Sequence, residues 1–303
     1  MVRFIIPYFG RLPEWIDLFF LSCEANPGFE WLIITDDESA GTPASNVEIR
    51  HSDFHGYREL VSHRLGVDFR SAAPYKLCDL KPFLGLIHEE DLADADFWGF
   101  TDLDLLYGDL GRFYPPELLA RYDVISSMYD RMAGHLGMIR NTAQLSQLCT
   151  TIPRWQERLV AEEHQFLDEA DFYFLAFTPL RRLGGAVGKL VMLLAERVGY
   201  YPWLTGRVYA KNMHTTPIIP LKWHDGTTGF EQPLEWEWNS GRIHSLRDGY
   251  EAPYLHFMNY KSAKYLPAGT PPWEGLTPLI DRAFPTDTKP GKIRIGVEGI
   301  RAE

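Results

Sequence analysis

Cysteine is scarce in this chain. Cys23, Cys78 and Cys149 are its only three among 303 residues, and their odd number and wide separation speak against a disulfide framework or a Cys-x-x-Cys zinc site. A reducing, cytoplasmic setting is the expectation. Long apolar runs are missing as well: the longest, residues 183–194, is interrupted by Lys189 and falls short of the roughly 20 residues that a bilayer-crossing helix needs. The opening residues Met1-Val2-Arg3-Phe4-Ile5-Ile6-Pro7 lack the length and cleavage pattern of a secretory signal and read as a first β-strand. Positive charge is also in deficit. Thirty Lys and Arg face 41 Asp and Glu, a net charge of −11, which is the wrong sign for neutralising the phosphates of DNA or RNA. No nucleic-acid partner is expected, although a small phosphorylated ligand needs only a few local cations or one metal.

What the chain does have is 45% hydrophobic and 14% aromatic residues, the composition of a folded globule and not of a disordered segment. Its first third alternates strand and helix signals, which predicts an α/β layer architecture. Strands are expected at residues 4–6, 31–34, 47–50, 97–101 and 124–127, with helices over residues 13–25 and around 74–88. The second half reads as less regular, with a β-hairpin from the alternating Leu234-Glu235-Trp236-Glu237-Trp238, the turn Asn239-Ser240-Gly241 and a return over residues 242–246. A strand follows at Tyr254-Leu255-His256-Phe257. Neither an internal repeat nor a low-complexity block is present. The expected organisation is an α/β half over 1–130, a less regular half of the same domain over 131–266, and a tail over 267–303 that wraps the surface.

One basic stretch stands out in this acidic protein. From residue 172 to 211 the only carboxylate is Glu196, against Arg181, Arg182, Lys189, Arg197, Arg207 and Lys211. Residues 180–211 can therefore meet an anionic membrane surface or an acidic acceptor as a peripheral contact, at the inner face of the membrane for a cytoplasmic protein, or form a helix with a basic solvated face.

The chemistry-bearing segment is Phe97-Trp98-Gly99-Phe100-Thr101-Asp102-Leu103-Asp104-Leu105-Leu106-Tyr107-Gly108-Asp109. An Asp-x-Asp tripeptide is by itself common on solvated turns. Here it ends a buried aromatic strand, whose alternation predicts Asp102 and Asp104 on one side. Two such carboxylates suit Mg²⁺ or Mn²⁺ with coordination positions left for phosphate oxygens. No Lys or Arg lies between Lys81 and Arg112, while eight carboxylates accumulate there; a nucleotide diphosphate would be repelled unless a cation intervened.

Together with Phe4-Ile5-Ile6-Pro7-Tyr8-Phe9-Gly10 and Pro74-Tyr75-Lys76-Leu77-Cys78-Asp79-Leu80-Lys81-Pro82, this segment resembles the metal-dependent glycosyltransferases of the GT-A fold, and in particular a group of little-characterised bacterial proteins linked to surface polysaccharide assembly. The resemblance is clearest over residues 70–140. It implies a Rossmann-like nucleotide-sugar-binding half with a mixed central sheet over 1–130, and an acceptor-binding, metal-completing half over 131–266. It also implies a transferase that moves a sugar from a nucleotide diphosphate, a UDP-sugar, to a saccharide, lipid-linked saccharide or other hydroxyl acceptor. The loop Pro7, Tyr8 and Phe9 would lie against the nucleotide, Asp36 or Asp37 would bind base or ribose, and Thr101, Asp102 and Leu103 would line the donor site. In retaining members a late His-Phe strand gives the third metal ligand, which matches His256, and a nearby Lys contacts the diphosphate, which matches Lys261 or Lys264. The metal set so implied is Asp102, Asp104 and His256.

Further candidates come from the residues themselves. Lys76 and Asp79, three apart, share a helical face and suit donor contacts or a surface ion pair. Gly134-His135-Leu136-Gly137 reads as a loop that can present His135 to a sugar. Residues 162–169 read as an acidic helix whose Glu163 and Asp168, with Asp130, are acceptor-side carboxylates. Trp223-His224-Asp225-Gly226 offers a sugar platform or a Trp-anchored loop. A nucleotidyltransferase or phosphohydrolase, and a non-catalytic carbohydrate-binding protein, are the alternative functions.

Overall fold

A computed structural model describes residues 1–13, 15–39, 43–128, 131–172, 208–211, 213, 235–257, 291–296 and 299–303. The fold is α/β, built on a mixed seven-stranded sheet. Strands β1 (Val2–Pro7), β2 (Phe29–Thr35) and β3 (Val47–His51) come first, then β4 (Phe97–Thr101). A short β5 (Leu105–Tyr107) leaves this sheet, and β6 (Val124–Ser126), β7 (Leu136–Arg140) and β8 (Val208–Ala210) complete it. Their spatial order is β3-β2-β1-β4-β7-β6-β8. The first four strands run parallel, and β7 turns antiparallel to both β4 and β6. Pro7 ends β1, as expected of a residue without an N–H to extend the ladder.

Both faces of the sheet are covered, so its strands are near-continuous apolar runs whose alternate residues feed two cores. Ile5, Leu32, Ile34, Trp98 and Phe100 pack on one side with Tyr57 and Val61 of helix α2 (Phe54–Leu65) and with the segment 77–87. Phe4, Ile6, Trp31, Ile33 and Phe97 pack on the other with Phe19 and Cys23 of helix α1 (Ile16–Glu24). Helix α2 is bounded by its own chemistry: Asp53 accepts from Gly56 N at 2.6 Å at the start, and Gly66 takes the left-handed conformation at the end.

A second, antiparallel sheet holds β9 (Trp236–Asn239), β10 (Arg242–Ser245), β11 (Glu251–Ala252), β13 (Lys292–Gly296) and β14 (Gly299–Ala302) in the order β11-β10-β9-β13-β14. The hairpin β9–β10 is the expected one. Its two-residue turn, Ser240 and Gly241, has positive φ at both positions (47° and 86°), which is why Gly sits there. Toward the end of the chain, β13 and β14 are strands of this sheet, with Ile293, Ile295 and Ile300 buried. Residues 267–290 lie outside the described residues.

Several local expectations are corrected. The segment Pro74–Phe83 is a 3₁₀-helix and only Leu84–Ile87 is α-helical, because Pro82 has no N–H for an α-helical bond to residue 78. Leu136 and Gly137 are not loop residues but the start of β7. Residues 162–166 are irregular, and helical structure begins only with a π-type turn at Leu167–Asp171. No helix among the described residues is long and apolar enough to cross a membrane.

Candidate active site

The Asp-x-Asp pair is held by a turn and not by strand alternation. β4 ends at Thr101, residues 102–104 turn, and β5 begins at Leu105. Asp102 N donates to the His135 carbonyl at 3.2 Å, and Trp15 Nε1 donates to the Leu103 carbonyl at 2.7 Å. Thr101 is buried, and its hydroxyl shares a 2.6 Å hydrogen bond with Tyr107 Oη across the turn. Each of these contacts fixes the backbone that aims the carboxylates.

The third residue arrives from about 150 positions downstream. Strand β12 (Tyr254–His256) pairs antiparallel with β5, setting His256 opposite Leu105, and Phe257 N donates to the Asp104 carbonyl at 2.8 Å. His256 Nε2 consequently stands 3.4 Å from Asp104 Oδ2. One ligand atom from each of Asp102, Asp104 and His256 lies within 4.8 Å of the others. Asp104 and His256 are 2% and 5% exposed, so two donors are desolvated while Asp102 faces the opening. A donor set of two carboxylates and one imidazole fits a divalent cation. Behind the set, the His135 ring stacks on His256 with centroids 4.3 Å apart, and His135 Nε2 is 2.7 Å from Tyr254 Oη, which donates to Ser127 Oγ at 2.6 Å. His135 is therefore a buried support for His256. It is not a loop residue offered to solvent.

In front of Asp102 is a cavity of about 300 Å³. It is walled by residues 5–9 at the end of β1, by Pro74, Tyr75, Leu77, Cys78, Lys81 and Leu84, and by residues 101–103. These are the three segments that the sequence singled out. Asp36 and Asp37 do not line it: Asp36 accepts from Gly10 N at 2.6 Å and Asp37 from Leu12 N at 2.7 Å, so they pin the loop after β1 against the end of β2. The Ser39 hydroxyl and the Leu12 amide hold the Asp37 carboxyl below its ordinary range. Cys78 is no nucleophile for this cavity, because burial pushes its thiol up to about 12.

Lys81 is the residue that sequence reasoning passed over. Its Nζ lies 2.7 Å from Asp102 Oδ1 and 2.7 Å from the Gly134 carbonyl oxygen. Burial pulls the ammonium down, but Asp102, Cys78 and Asp168 together outweigh it and the group stays charged. One signal was available: Lys81 is the last cation before the acidic stretch that contains the Asp-x-Asp pair.

Lys76 and Asp79 share a turn as expected but not at the surface; they are 1% and 0% exposed. Lys76 Nζ is 2.9 Å from Asp79 Oδ2, 2.9 Å from the Arg158 carbonyl and 2.8 Å from the Glu163 carbonyl, which accounts for all three ammonium protons. Asp79 in turn accepts from Gln165 N at 2.8 Å and Leu167 N at 3.0 Å. The pair is thus a buried clasp for residues 163–167, and neither residue lines the cavity in front of Asp102. Glu163 has an exposed side chain, whereas Asp168 is buried, and burial raises its carboxyl to about 7. Asp130, Lys261, Lys264, residues 223–226 and residues 180–207 lie outside the described residues.

Residues 4–182 match the model of a family described as "Family of unknown function (DUF6625)". No curated protein matches the chain. Among solved structures it is similar to an active-site mutant of LgtC, at 10% identity and a TM-score of 0.40 over 89% of this chain and 92% of that one. It is also similar to the galactosyltransferase LgtC in complex with donor and acceptor sugar analogues, at 11% identity and a TM-score of 0.41 over 89% and 92%. A third is mouse xyloside xylosyltransferase 1 in its apo form, at 8% identity and a TM-score of 0.33 over 57% and 79%. The family model spans more than half of the sequence, and the chain belongs to the DUF6625 family.

Proposed function

We propose that this protein is a divalent-metal-dependent glycosyltransferase that moves a sugar from a nucleotide diphosphate donor, a UDP-sugar, to a saccharide or lipid-linked saccharide hydroxyl, with retention of anomeric configuration. The observation that carries the reading is the convergence of Asp102, Asp104 and His256 beside a cavity that Asp102 lines together with the loop after β1 and residues of Pro74–Phe83.

Asp104, His256 and Asp102 would hold Mn²⁺ or Mg²⁺, which when bound supplies a Lewis acid that offsets charge developing on the departing diphosphate, an effect worth several kcal/mol of barrier. The rest is the work of this chain. Pro7, Tyr8 and Phe9, pinned by Asp36 and Asp37, offer a preformed wall to the nucleotide, so little ordering entropy is lost on binding. Lys81 holds Asp102 by one oxygen and leaves the other to face the ligand. Lys261 or Lys264 would contact the diphosphate. On the acceptor side, Glu163, Asp168 and Asp130 are the carboxylates to test, and a retaining reaction would let the leaving phosphate take the acceptor proton. The basic residues 180–211 would bring the protein to an acidic acceptor or to the membrane that carries it.

The test is a thermal-shift series with nucleoside diphosphates, with and without Mn²⁺. Metal-dependent stabilisation by UDP that disappears in Asp104→Ala supports the reading, and absence of stabilisation by every nucleotide sinks it. Release of a nucleoside diphosphate separates a glycosyltransferase from a nucleotidyltransferase, which makes pyrophosphate. The anomer of the product, read by NMR, decides retention.

A further inference from the structure

Asp79, His164 and Asp168 form a second cluster, of which the reaction above invokes only Asp168, as an acceptor-side carboxylate to test. His164 Nε2 stands 3.4 Å from Asp79 Oδ1 and 3.9 Å from Asp168 Oδ1, and the three atoms all lie within 4.8 Å of one another. The cluster is assembled from two distant segments. Asp79 comes from the 3₁₀-helix Pro74–Phe83, and its carboxylate accepts the Gln165 and Leu167 amides, which folds residues 164–168 back over it. The rings of Tyr75 and Phe166 flank the imidazole with centroids 5.0 Å and 4.4 Å away.

Two features of this cluster point to a ligand. First, among the described residues, His164 Nε2 and Asp168 Oδ1 are both buried and have no hydrogen-bond partner. Asp168 is only 3% exposed, and a buried polar atom left unsatisfied costs about 1–3 kcal/mol. The two orphaned atoms face each other at a distance too long for a hydrogen bond. Second, the spacing suits an ion. Donors about 2.1 Å from a tetrahedral Zn²⁺ stand about 3.4 Å apart, which is the separation of His164 Nε2 from Asp79 Oδ1, while Asp168 Oδ1 stands somewhat wider, at 3.9 Å from His164 Nε2. Asp79 can serve while keeping its present bonds, because a carboxylate oxygen has two lone pairs and Leu167 N uses one on Oδ1. Lys76 sits on the opposite oxygen, Oδ2.

We propose that Asp79, His164 and Asp168 bind a divalent transition-metal ion, such as Zn²⁺, as a structural centre separate from the Asp102 cluster. Its effect would be mechanical. The ion clasps residues 163–168 to the segment that walls the cavity, and Gly134, against which Asp168 and Glu169 pack, accepts through its carbonyl from the Lys81 ammonium that also donates to Asp102. The second centre would thus set the position of the wall beside the first.

The experiment uses the full chain carrying Asp104→Ala, which removes one donor of the other cluster. The protein is stripped with a chelator and titrated with Zn²⁺, then with Co²⁺ as a spectroscopic probe. The expected result is one Zn²⁺ per chain by elemental analysis, a raised thermal midpoint, and a visible cobalt absorption of tetrahedral intensity. Adding His164→Gln should abolish all three. If that variant does not fold, Asp168→Asn, which is nearly isosteric, replaces it. The proposal is overturned if the Asp104→Ala protein takes up no stoichiometric metal, or if the folded His164→Gln or Asp168→Asn variant binds it undiminished. Neither result depends on whether UDP binds, so this site and the proposed reaction fail or stand separately.

Discussion

Lys81 and Asp102 are joined by a 2.7 Å ion pair that spans from the 3₁₀-helix Pro74–Phe83 to the turn after β4. The lysine side chain is 11% exposed and the aspartate 34%, so the cation is the deeper partner and the carboxylate keeps one edge toward the cavity. The Gly134 carbonyl takes a second proton of the same ammonium. One side chain therefore ties three segments together behind the candidate metal site.

Removing that cation should be costly. Lys81→Met leaves the Gly134 carbonyl and Asp102 without their buried partner, and breaking such a pair costs about 3 kcal/mol. Urea denaturation should show the loss as a lower midpoint at unchanged slope. A cycle with Asp102→Asn should recover more than about 1 kcal/mol; strictly additive losses would mean that the two residues do not act as a unit.

Asp104→Ala and His256→Ala should each remove the stabilisation by UDP with Mn²⁺, which for a ligand at a hundred times its Kd is about 2.7 kcal/mol. Asp102→Ala should weaken it less, because Asp102 is the more exposed member of the set. Differential scanning fluorimetry at matched nucleotide concentration checks the order, and an Asp102 variant more damaging than Asp104→Ala would contradict it.

Gly99 sits in the middle of β4, two residues before the turn. A methyl group there would come within 2.5 Å of the Gly137 carbonyl oxygen on β7 and 2.8 Å of the Phe4 ring. Backbone cannot yield as a side chain can, so Gly99→Ala should destabilise by about 1–3 kcal/mol. A thermal melt within experimental error of the wild type would show that β4 and β7 do not approach this closely.

Asp91 predicts an acid limb. The His88 hydrogen bond at 2.9 Å, seconded by Arg50 at 2.8 Å, lowers its carboxyl to about 2. The unfolded value is about 3.9, so the folded state binds its proton more weakly. The stabilisation is complete above about pH 4 and is lost as pH falls from there through 2. Allowing for partial exposure it amounts to about 1–2 kcal/mol. Asp91→Asn should lose it at neutral pH and show a flatter stability profile over that window in acid titrations followed by circular dichroism.

Much of the fold was readable from local pattern. β1, β2 and β4 are apolar runs bounded by Pro7, by Asp36 and by Asp102, and the hairpin around Ser240-Gly241 announced itself by strict alternation and turn chemistry. β5 and β7 were not readable. Leu105-Leu106-Tyr107 is too short to show a period, and Leu136-Gly137 follows two turn-like residues. The strands β13 and β14 were hidden by the Pro- and Gly-rich composition before them. The candidate site was legible in the same uneven way: Asp102 and Asp104 stood out by their setting, while Lys81 was marked only as the last cation before the acidic stretch and takes its place in the site from its 2.7 Å contact.

The acidic net charge, the α/β alternation of the first third, the lack of cysteines for a disulfide framework and an Asp-x-Asp pair ending a buried aromatic strand are all properties of the linear chain. They follow from composition and from residues near one another, where side-chain period and turn chemistry act directly. Folding in three dimensions was needed to make Asp102 and Asp104 converge through a turn, to bring His256 on β12 within 3.4 Å of Asp104, and to set His164 against Asp79 and Asp168. Such meetings depend on strand register and on which buried groups satisfy one another across more than eighty residues, and no local period encodes them.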